Sequence, residues 1–336
     1  MPAAPDPIFR VHELEQTVDH LSRQLARAKS RDRRLVEATI VACRDAVVAQ
    51  GPIRPVPRPK ADPRRKDPEA AVWHLTDWQG GKRTTGYNSA VMRQRVLRFT
   101  DVARVITDMR RAAAPIPHCL VLFGGDMVEG LFNFPSQPFE IDATLFEQYV
   151  NVARLLVDVV RIALSMHDKV TVVAEWGNHG RIGNKGQAVP RSDNVDRMCY
   201  ELARQLLKGE PRLTWQPCPD DIQRVQVGRY RALLIHGDEV GRVGYASPNT
   251  IVQWVTRQKS GAYPWAFRDV YMGHYHTHAE WPMPDGRGSM YQTGSTESEN
   301  RYAGVMMAAQ ATPSQRLHFI DPKTGRVIGA HKVWLA

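Results

Sequence analysis

Residues 119–130 of this chain, CLVLFGGDMVEG, decide the fold because they join a short apolar run to two glycines and an aspartate. An apolar run of this length that stops at Gly124 and Gly125 is typical of a buried strand ending in a tight turn. Four other stretches have the same order of apolar run and polar end: VWHLTDWQ at 72–79, VTVVAEWGNH at 170–179, ALLIHGD at 232–238 and VYMGHYH at 270–276. Ligands of open α/β sheets bind beyond the carboxyl ends of the strands, so five such ends predict one shared site.

Segments with the apolar period of a helix lie between these strands, at about 90–111, 142–166, 193–208 and 248–258. In the last of them, Ser247 is predicted to be the N-cap and Pro248 the first helical residue. The residues DPKTG at 321–325 predict a turn between strands at 316–320 and 326–334. This alternation of strands and helices predicts an α/β domain over residues 70–336.

Residues 1–50 are predicted to form a helical appendage, with a second helix at 34–49. Between 11 and 28 the apolar side chains recur every three or four residues. That spacing suits a short coiled coil, which would make a homo-oligomer, and equally an amphipathic helix that packs on the main domain. Residues 51–69 contain six prolines among basic residues and predict an extended linker. Its charge favours either a strap that contacts phosphates or an ordinary solvated segment.

The composition limits the class of protein. With 336 residues, 43% hydrophobic and 24% charged, the chain can form one large α/β domain with an appendage, which excludes a disordered or fibrous protein. Its net charge of +10 favours an acidic partner such as nucleic acid. The 4 cysteines form no C-x-x-C pair, and we find neither a signal peptide nor an apolar run of about 18 residues. We therefore expect a cytoplasmic protein with no membrane partner.

The polar strand ends together supply carboxylates, an asparagine amide and several imidazoles. This mixture of oxygen and nitrogen ligands suits Mn²⁺, Fe²⁺ or Zn²⁺ better than Ca²⁺. There are too many ligands for one ion, and two ions bridged by a carboxylate can activate water and neutralise a phosphate. The phosphate-binding motif GxxxxGK followed by Ser or Thr is absent from the sequence, so nucleotide-driven work is not indicated.

The order and spacing of these clusters resemble the calcineurin-like metallophosphoesterase superfamily. Its pattern is D-x-H, GD-x-x-D/E, GNH-D/E, a lone His and GH-x-H, and the match spans about residues 73–276. The segments GGDMVEG and GNHGRIGNKG are most similar to the corresponding segments of metallophosphoesterases from tailed phages, which in turn resemble the Mre11 and SbcD nucleases. The resemblance implies a four-layer sandwich of two mixed β-sheets flanked by helices. For a phage-encoded protein it also implies the cytoplasm of the bacterial host.

The resemblance implies two divalent metal ions, with Mn²⁺ favoured and Zn²⁺, Fe²⁺ or Mg²⁺ as alternatives, and a metal-bound hydroxide as the nucleophile. Two groups of side chains would hold the ions and share Asp126 as a bridge. The first group is Asp77, Gln79, Asp126 and His276. The second group is Asp126, Asn178, His236 and His274. The residues with a direct catalytic role would be His179, Asp126 and Asn178, with His179 acting on the leaving group.

Two positions depart from the family pattern. Gln79 stands where the family usually has His, which predicts a weaker metal site that prefers Mn²⁺; the alternative is that Gln79 only forms hydrogen bonds. Gly180 replaces the acidic residue after GNH. Arg181, the next residue, is predicted to bind a substrate phosphate, with an ordinary surface arginine as the alternative. Asp238 and Glu239 are candidates to orient the imidazole of His236.

The leading functional hypothesis is a metal-dependent phosphodiesterase that cleaves DNA as an Mre11- or SbcD-like nuclease. Three features favour it: the basic net charge, the basic linker and the resemblance to phage proteins. One alternative is a phosphodiesterase for small molecules or cyclic nucleotides. The other is a catalytically silent scaffold with the same fold, which Gln79 and Gly180 would favour.

Overall fold

A computed structural model of the chain describes residues 45, 55–60, 62–64, 66–133, 136–183, 190–240, 248–298 and 312–336. The chain comprises two units, Met1–Pro52 and Ile53–Ala336, and every helix and strand named below belongs to the second. Both helices predicted in the appendage lie outside the described residues, apart from Asp45, and so does Ser247, the predicted N-cap. Among the described residues, no helix combines the length and the apolar character needed to cross a bilayer.

The first sheet has six strands in the spatial order β11-β10-β1-β2-β3-β4. Strands β1 to β4 are parallel neighbours, and β10 pairs antiparallel with both β1 and β11. Parallel pairing places the carboxyl ends of β1, β2 and β3 at one edge of the sheet. The strands are β1 Ala70–Leu75, β2 His118–Phe123, β3 Lys169–Ala174, β4 Leu213–Trp215, β10 Ser314–Asp321 and β11 Arg326–Trp334.

The second sheet has five strands in the order β5-β6-β7-β9-β8. It is also mixed, because β6, β7 and β9 run parallel while β5 and β8 pair antiparallel with their neighbours. Apolar side chains of the two sheets form one shared core, with Val72, Leu120 and Leu122 from the first sheet and Leu234 and Tyr271 from the second. The strands are β5 Gln223–Val227, β6 Tyr230–Leu234, β7 Asp269–Met272, β8 Ala279–Pro282 and β9 Ser289–Gln292.

In the described part of the chain, four α-helices complete the sandwich: α1 Ser89–Arg111, α2 Leu145–Met166, α3 Val195–Leu206 and α4 Pro248–Arg257. Helix α2 contacts β2 and β3 of the first sheet and lies between α1 and α3. Helix α4 packs on the second sheet, where Ile251 and Val255 join Leu233 and Met272 in an apolar cluster. The predicted fold class, two mixed sheets flanked by helices, is confirmed.

Side-chain caps explain where the helices begin. Helix α2 begins at Leu145 rather than at 142 because Thr144 and Glu147 form a reciprocal capping box. Helix α3 begins at Val195 because Asn194 accepts a hydrogen bond from the backbone of Asp196. The predicted strand at 232–235 is displaced by two residues at its start, since β6 begins at Tyr230.

The Pro-rich segment contacts the main domain. Its described residues between 55 and 69 form no helix or strand. The Arg64 guanidinium donates to the carbonyl of Arg111 at 2.6 Å, at the end of α1, and Glu69 pairs with Arg110. Arg212 donates to the carbonyl of Val56 at 2.8 Å.

Burial keeps His167 neutral in the folded protein. The ring lies at the end of α2, where Nδ1 is 3.0 Å from the carbonyl oxygen of Ile116. Burial lowers the pKa of His167 to about 3, whereas a histidine in an unfolded chain titrates near pH 6.5. Below pH 6.5 the unfolded state therefore binds a proton that the folded state does not bind, and folding stability decreases as the pH falls.

We predict that His167→Asn, whose amide keeps a donor for Ile116, makes stability less dependent on pH. Between pH 6 and pH 4.5 the slope of the unfolding free energy against pH should fall by up to about 1.4 kcal/mol per pH unit, which is the slope caused by a difference of one bound proton. Denaturant unfolding at several pH values measures this slope. The half-buried His331 is the control, and His331→Asn should change the slope less. Parallel curves for wild type and His167→Asn would show that the His167 ring is protonated in the fold.

Candidate metal centre

The five polar strand ends converge, as the sequence predicts. Asp77 follows β1, Asp126 follows β2, and Asn178 follows β3 of the first sheet. From the second sheet, His236 follows β6 and His274 follows β7. Contacts between these side chains, given below, join the ends of both sheets in one site.

Three atoms surround the Nε2 atom of His236 and form a group of four with it. This atom lies 3.0 Å from Asn178 Oδ1, 3.1 Å from Asp126 Oδ2 and 3.2 Å from His274 Nδ1. All four are atoms that bind metals, and Asp126, His236 and His274 form the one group of three or more His, Cys, Asp or Glu ligands found among the described residues. Carboxylate, amide and imidazole atoms this close to one another can share a divalent cation. The group therefore fits one divalent metal ion.

The backbone of the β2 turn orients His236. Its Nδ1 lies 2.8 Å from the carbonyl oxygen of Gly124, which can accept the Nδ1 proton, so Nε2 is the ring nitrogen that faces the site. The carboxylates of Asp238 and Glu239, our sequence candidates for this contact, face other partners. Asp238 accepts from Arg181 and Arg191, and Glu239 accepts from the backbone of Gly237.

A second group lies on the other side of Asp126. His276 Nε2 is 3.4 Å from Asp77 Oδ1 and 3.4 Å from the Gln79 amide nitrogen, which is 3.5 Å from Asp126 Oδ2. Gln79 is fully buried, and within the described part of the chain its Oε1 has no hydrogen-bond partner. Rotation of the amide by half a turn would point this oxygen at His276 and Asp126. An unpartnered buried oxygen with these neighbours fits a second cation.

The backbone at the candidate ligands adopts a conformation that side chains rarely tolerate. Positive φ angles occur at Asp77 (52°), Gln79 (50°), Asp126 (51°), His274 (68°) and His276 (55°). Elsewhere in the described residues, Asp67 is the only other non-glycine residue with positive φ. Each such residue costs of the order of 1–3 kcal/mol, and strain of this kind concentrates at functional sites. Its concentration in the loops that carry the candidate ligands, five of the six residues, indicates that these loops are shaped for the site rather than for stability.

His179 lies beside the two groups and faces them with Nε2, which is 3.9 Å from Asp126 Oδ2. Its Nδ1 is 3.2 Å from Glu129 Oε2, and its backbone N–H donates to Asp126 Oδ1 at 2.7 Å. Burial alone would lower the pKa of His179, but the carboxylates of Glu129 and Asp126 outweigh it and raise the pKa. His179 is therefore placed to hold a proton next to the candidate metal ligands. The GD-x-x-D/E pattern contains Glu129, but sequence reasoning gave that residue no role.

Positive charge also stabilises Asp126. Burial would raise the pKa of this carboxyl group, but His236 and His179 lower it well below its usual range. Conversely, burial would lower the pKa of His236, and Asp126 raises it. The carboxylate is thus ionised and surrounded by groups that a cation can replace or join.

Asp196, the second residue of α3, holds two ligand loops together. Its Oδ1 accepts from the backbone N–H groups of Met127 and Val128 at 3.0 and 3.1 Å, and its Oδ2 accepts from Gly177 at 2.9 Å. Burial and the charge of Asp126 raise the pKa of Asp196 to about 6, so it is ionised at neutral pH. In the sequence this residue is the last of a DN-x-D segment at 193–196, a pattern that predicts no role for it.

Arg181 is placed differently from the metal ligands. Its guanidinium donates to Asp238, and Arg191 donates to the same carboxylate at 3.0 Å. A phosphate would have to compete with Asp238 for this guanidinium. The seven predicted metal ligands and His179 lie together, whereas the substrate contact of Arg181 stays a prediction.

A scan against models of protein families finds no match for this chain, and a search of curated proteins finds none either. Among solved structures, the chain is similar to wild-type Vps29 complexed with zinc from Entamoeba histolytica, with a TM-score of 0.36 and 14% identity over 79% of this chain and 99% of that chain. It is also similar to a hypothetical protein from Pyrococcus horikoshii, with a TM-score of 0.38 and 11% identity over 80% of this chain and 89% of that chain. For a predicted phosphoesterase from Streptococcus pneumoniae, the TM-score is 0.29 and the identity 11% over 75% of this chain and 84% of that chain.

We predict that Asp196→Asn destabilises the protein and weakens metal binding. An asparagine amide would turn N–H groups toward backbone N–H groups, leaving buried donors unpaired at a cost of about 1–3 kcal/mol. Denaturant unfolding and calorimetric titration with Mn²⁺ measure the two effects. The control is Asp158→Asn, which removes a surface ion pair with Arg93 and should cost less than about 1 kcal/mol. Equal stability and metal affinity for the two variants would refute the role given to Asp196.

Proposed function

We propose that this chain is a metal-dependent phosphodiesterase with two divalent cations at its centre. The supporting observation is the division of seven ligand side chains into two groups that share Asp126 Oδ2. A single carboxylate oxygen that faces both groups is the bridge that a pair of cations requires. Mn²⁺ suits the mixture of carboxylate, amide and imidazole ligands.

Each cation would have its own ligands besides Asp126. Asn178, His236 and His274 would hold one, and Asp77, Gln79 and His276 the other. Bound there, the two cations would neutralise charge on a phosphodiester and lower the pKa of water for attack at phosphorus. His274 and His276 are partly exposed, whereas Asp77 and Asp126 are buried beneath them. Solvent therefore reaches the ligand set at His274 and His276, where a substrate can enter.

His179 would act as the proton donor. Glu129 holds its Nδ1, so the ring presents Nε2 to the site. The carboxylates of Glu129 and Asp126 raise the pKa of His179 against the effect of burial, which favours the protonated imidazole. The ring can therefore transfer the Nε2 proton to the leaving oxygen as the phosphorus–oxygen bond breaks.

For the substrate, we propose DNA, which would make the protein a nuclease. The support is electrostatic: the chain has a net charge of +10, and Arg58 and Lys60 of the Pro-rich segment are exposed. Basic side chains on the surface attract a polyanion by releasing its counterions. A small-molecule phosphodiester is the second candidate. The silent scaffold is disfavoured, because a binding protein has no need for strained backbone at five candidate ligands.

We predict hydrolysis of bis(p-nitrophenyl) phosphate and of DNA that requires a divalent cation and is fastest with Mn²⁺. Asp126→Asn should abolish it because both cations lose their shared ligand. His179→Ala should slow turnover by about 10²–10⁴-fold while metal content stays near that of wild type.

Steady-state kinetics and metal analysis test these expectations, with single-stranded DNA, double-stranded DNA and RNA assayed in parallel. His331→Ala is the control for general effects of losing a histidine. Hydrolysis that survives exhaustive chelation would refute the proposed function. Loss of metal from His179→Ala would make His179 a ligand instead of an acid.

A further inference from the structure

Lys82 is a buried cation that belongs to none of the family motifs. It lies three residues after Gln79, and its side chain is only 7% exposed. Its Nζ is 3.2 Å from Glu297 Oε1 and 3.7 Å from Glu129 Oε2. Both carboxylates are 2% exposed, so the three charges are almost completely removed from water.

Each of these carboxylates also contacts one histidine of the metal centre. Glu297 Oε2 lies 3.2 Å from Nδ1 of His276, and Glu129 Oε2 lies 3.2 Å from Nδ1 of His179. In both rings Nε2 is the atom that faces the site. Lys82 is thus the middle member of a row of five side chains in contact: His276, Glu297, Lys82, Glu129 and His179.

The charges explain why the middle position needs a cation. Two buried carboxylates with no cation between them would repel each other, and one would take up a proton or move toward water. Burial alone would lower the pKa of Lys82, but Glu129 and Glu297 outweigh burial and raise it, so the ammonium group is charged. The backbone fixes its place as well, because the Lys82 N–H donates to the carbonyl of Gln79 at 2.9 Å.

We propose that Lys82 is a positioning residue that holds Glu129 and Glu297 and, through them, fixes the rings of His179 and His276. This inference rests on the proposed function, in which His276 binds a cation and His179 donates a proton. One residue would then control two separate properties of the centre. Partners of this kind, which orient a metal-binding histidine from behind, typically change metal affinity by 10–100-fold when they are removed.

The test uses Lys82→Met, which keeps the length of the side chain and removes its charge. In calorimetric titrations with Mn²⁺, we expect one of the two binding events to weaken by about 10–100-fold. On bis(p-nitrophenyl) phosphate, kcat should fall by about 10–100-fold, while KM should stay near its wild-type value. The matched control is Lys259→Met, which breaks an ion pair with Asp285 outside the metal centre and should leave both readouts unchanged.

A merely structural role would give a different result. The folded fraction of Lys82→Met would then bind both ions with wild-type affinity and keep the wild-type kcat, and this outcome would overturn the proposal. Lys82→Met combined with Glu129→Gln and Glu297→Gln removes all three charges together. This triple variant should regain thermal stability without regaining kcat. If Lys82→Met does not fold, the triple variant is measured in its place, and wild-type kcat and metal affinity there would equally overturn the proposal.

A measurement on the metal-free protein separates this inference from the proposed function. In ¹H–¹⁵N spectra of the imidazole rings, Lys82→Met should shift the His179 and His276 resonances and leave that of His236, which Gly124 orients, unchanged. Unshifted His179 and His276 resonances would overturn the role of Lys82, whether or not the enzyme is active. A wild-type protein that neither binds Mn²⁺ nor hydrolyses phosphodiesters would refute the proposed function, and the ring resonances would still decide the role of Lys82.

Discussion

The burial of the Asp126 carboxylate is the constraint on which the site depends. Its side chain is 1% exposed, and its two oxygens face different partners: Oδ1 accepts from the His179 backbone, and Oδ2 lies between His236 and Gln79. A carboxylate that is buried away from water needs hydrogen-bond donors or cations around it. The close packing at this point is visible at Gly177, where an added Cβ would lie 2.0 Å from Asp126 Oδ1. The loops after β2 and β3 therefore have to approach each other without a side chain between them.

Charges alternate outward from Asp126, and this alternation connects the fold to the chemistry. Imidazoles surround the carboxylate, and behind two imidazoles of the centre lie Glu129 and Glu297, with Lys82 between them. Strained backbone at the ligand loops is tolerated because hydrogen bonds such as those of Asp196 hold these loops from behind. The hydrogen bonds behind these loops therefore stabilise them, and within the described residues Gln79 Oε1 is left without a partner at the point where a cation can bind.

The sequence predicts the five main strands, and the side chains that meet at their ends, because both follow local patterns. Five apolar runs with polar ends gave five strands, and the ends converge because neighbouring strands run parallel. The short strands β4, β5, β8 and β9 are not among the predicted elements, because three to five residues are too few to establish a period. Glu297 and Lys82 were missed for another reason. Their partners are distant in the sequence, 215 residues apart in the case of this ion pair, and no spacing rule marks them.

The central claim is that Asp126 lies between two cations. Crystals grown with Mn²⁺ and measured on both sides of the manganese absorption edge test it most directly, because anomalous scattering locates each ion independently of activity. The account predicts two peaks about 3.5–4 Å apart. One peak should be in contact with Asn178, His236 and His274, the other with Asp77, Gln79 and His276, and both with the Asp126 carboxylate. A single peak, or two peaks that Asp126 does not join, would contradict the account.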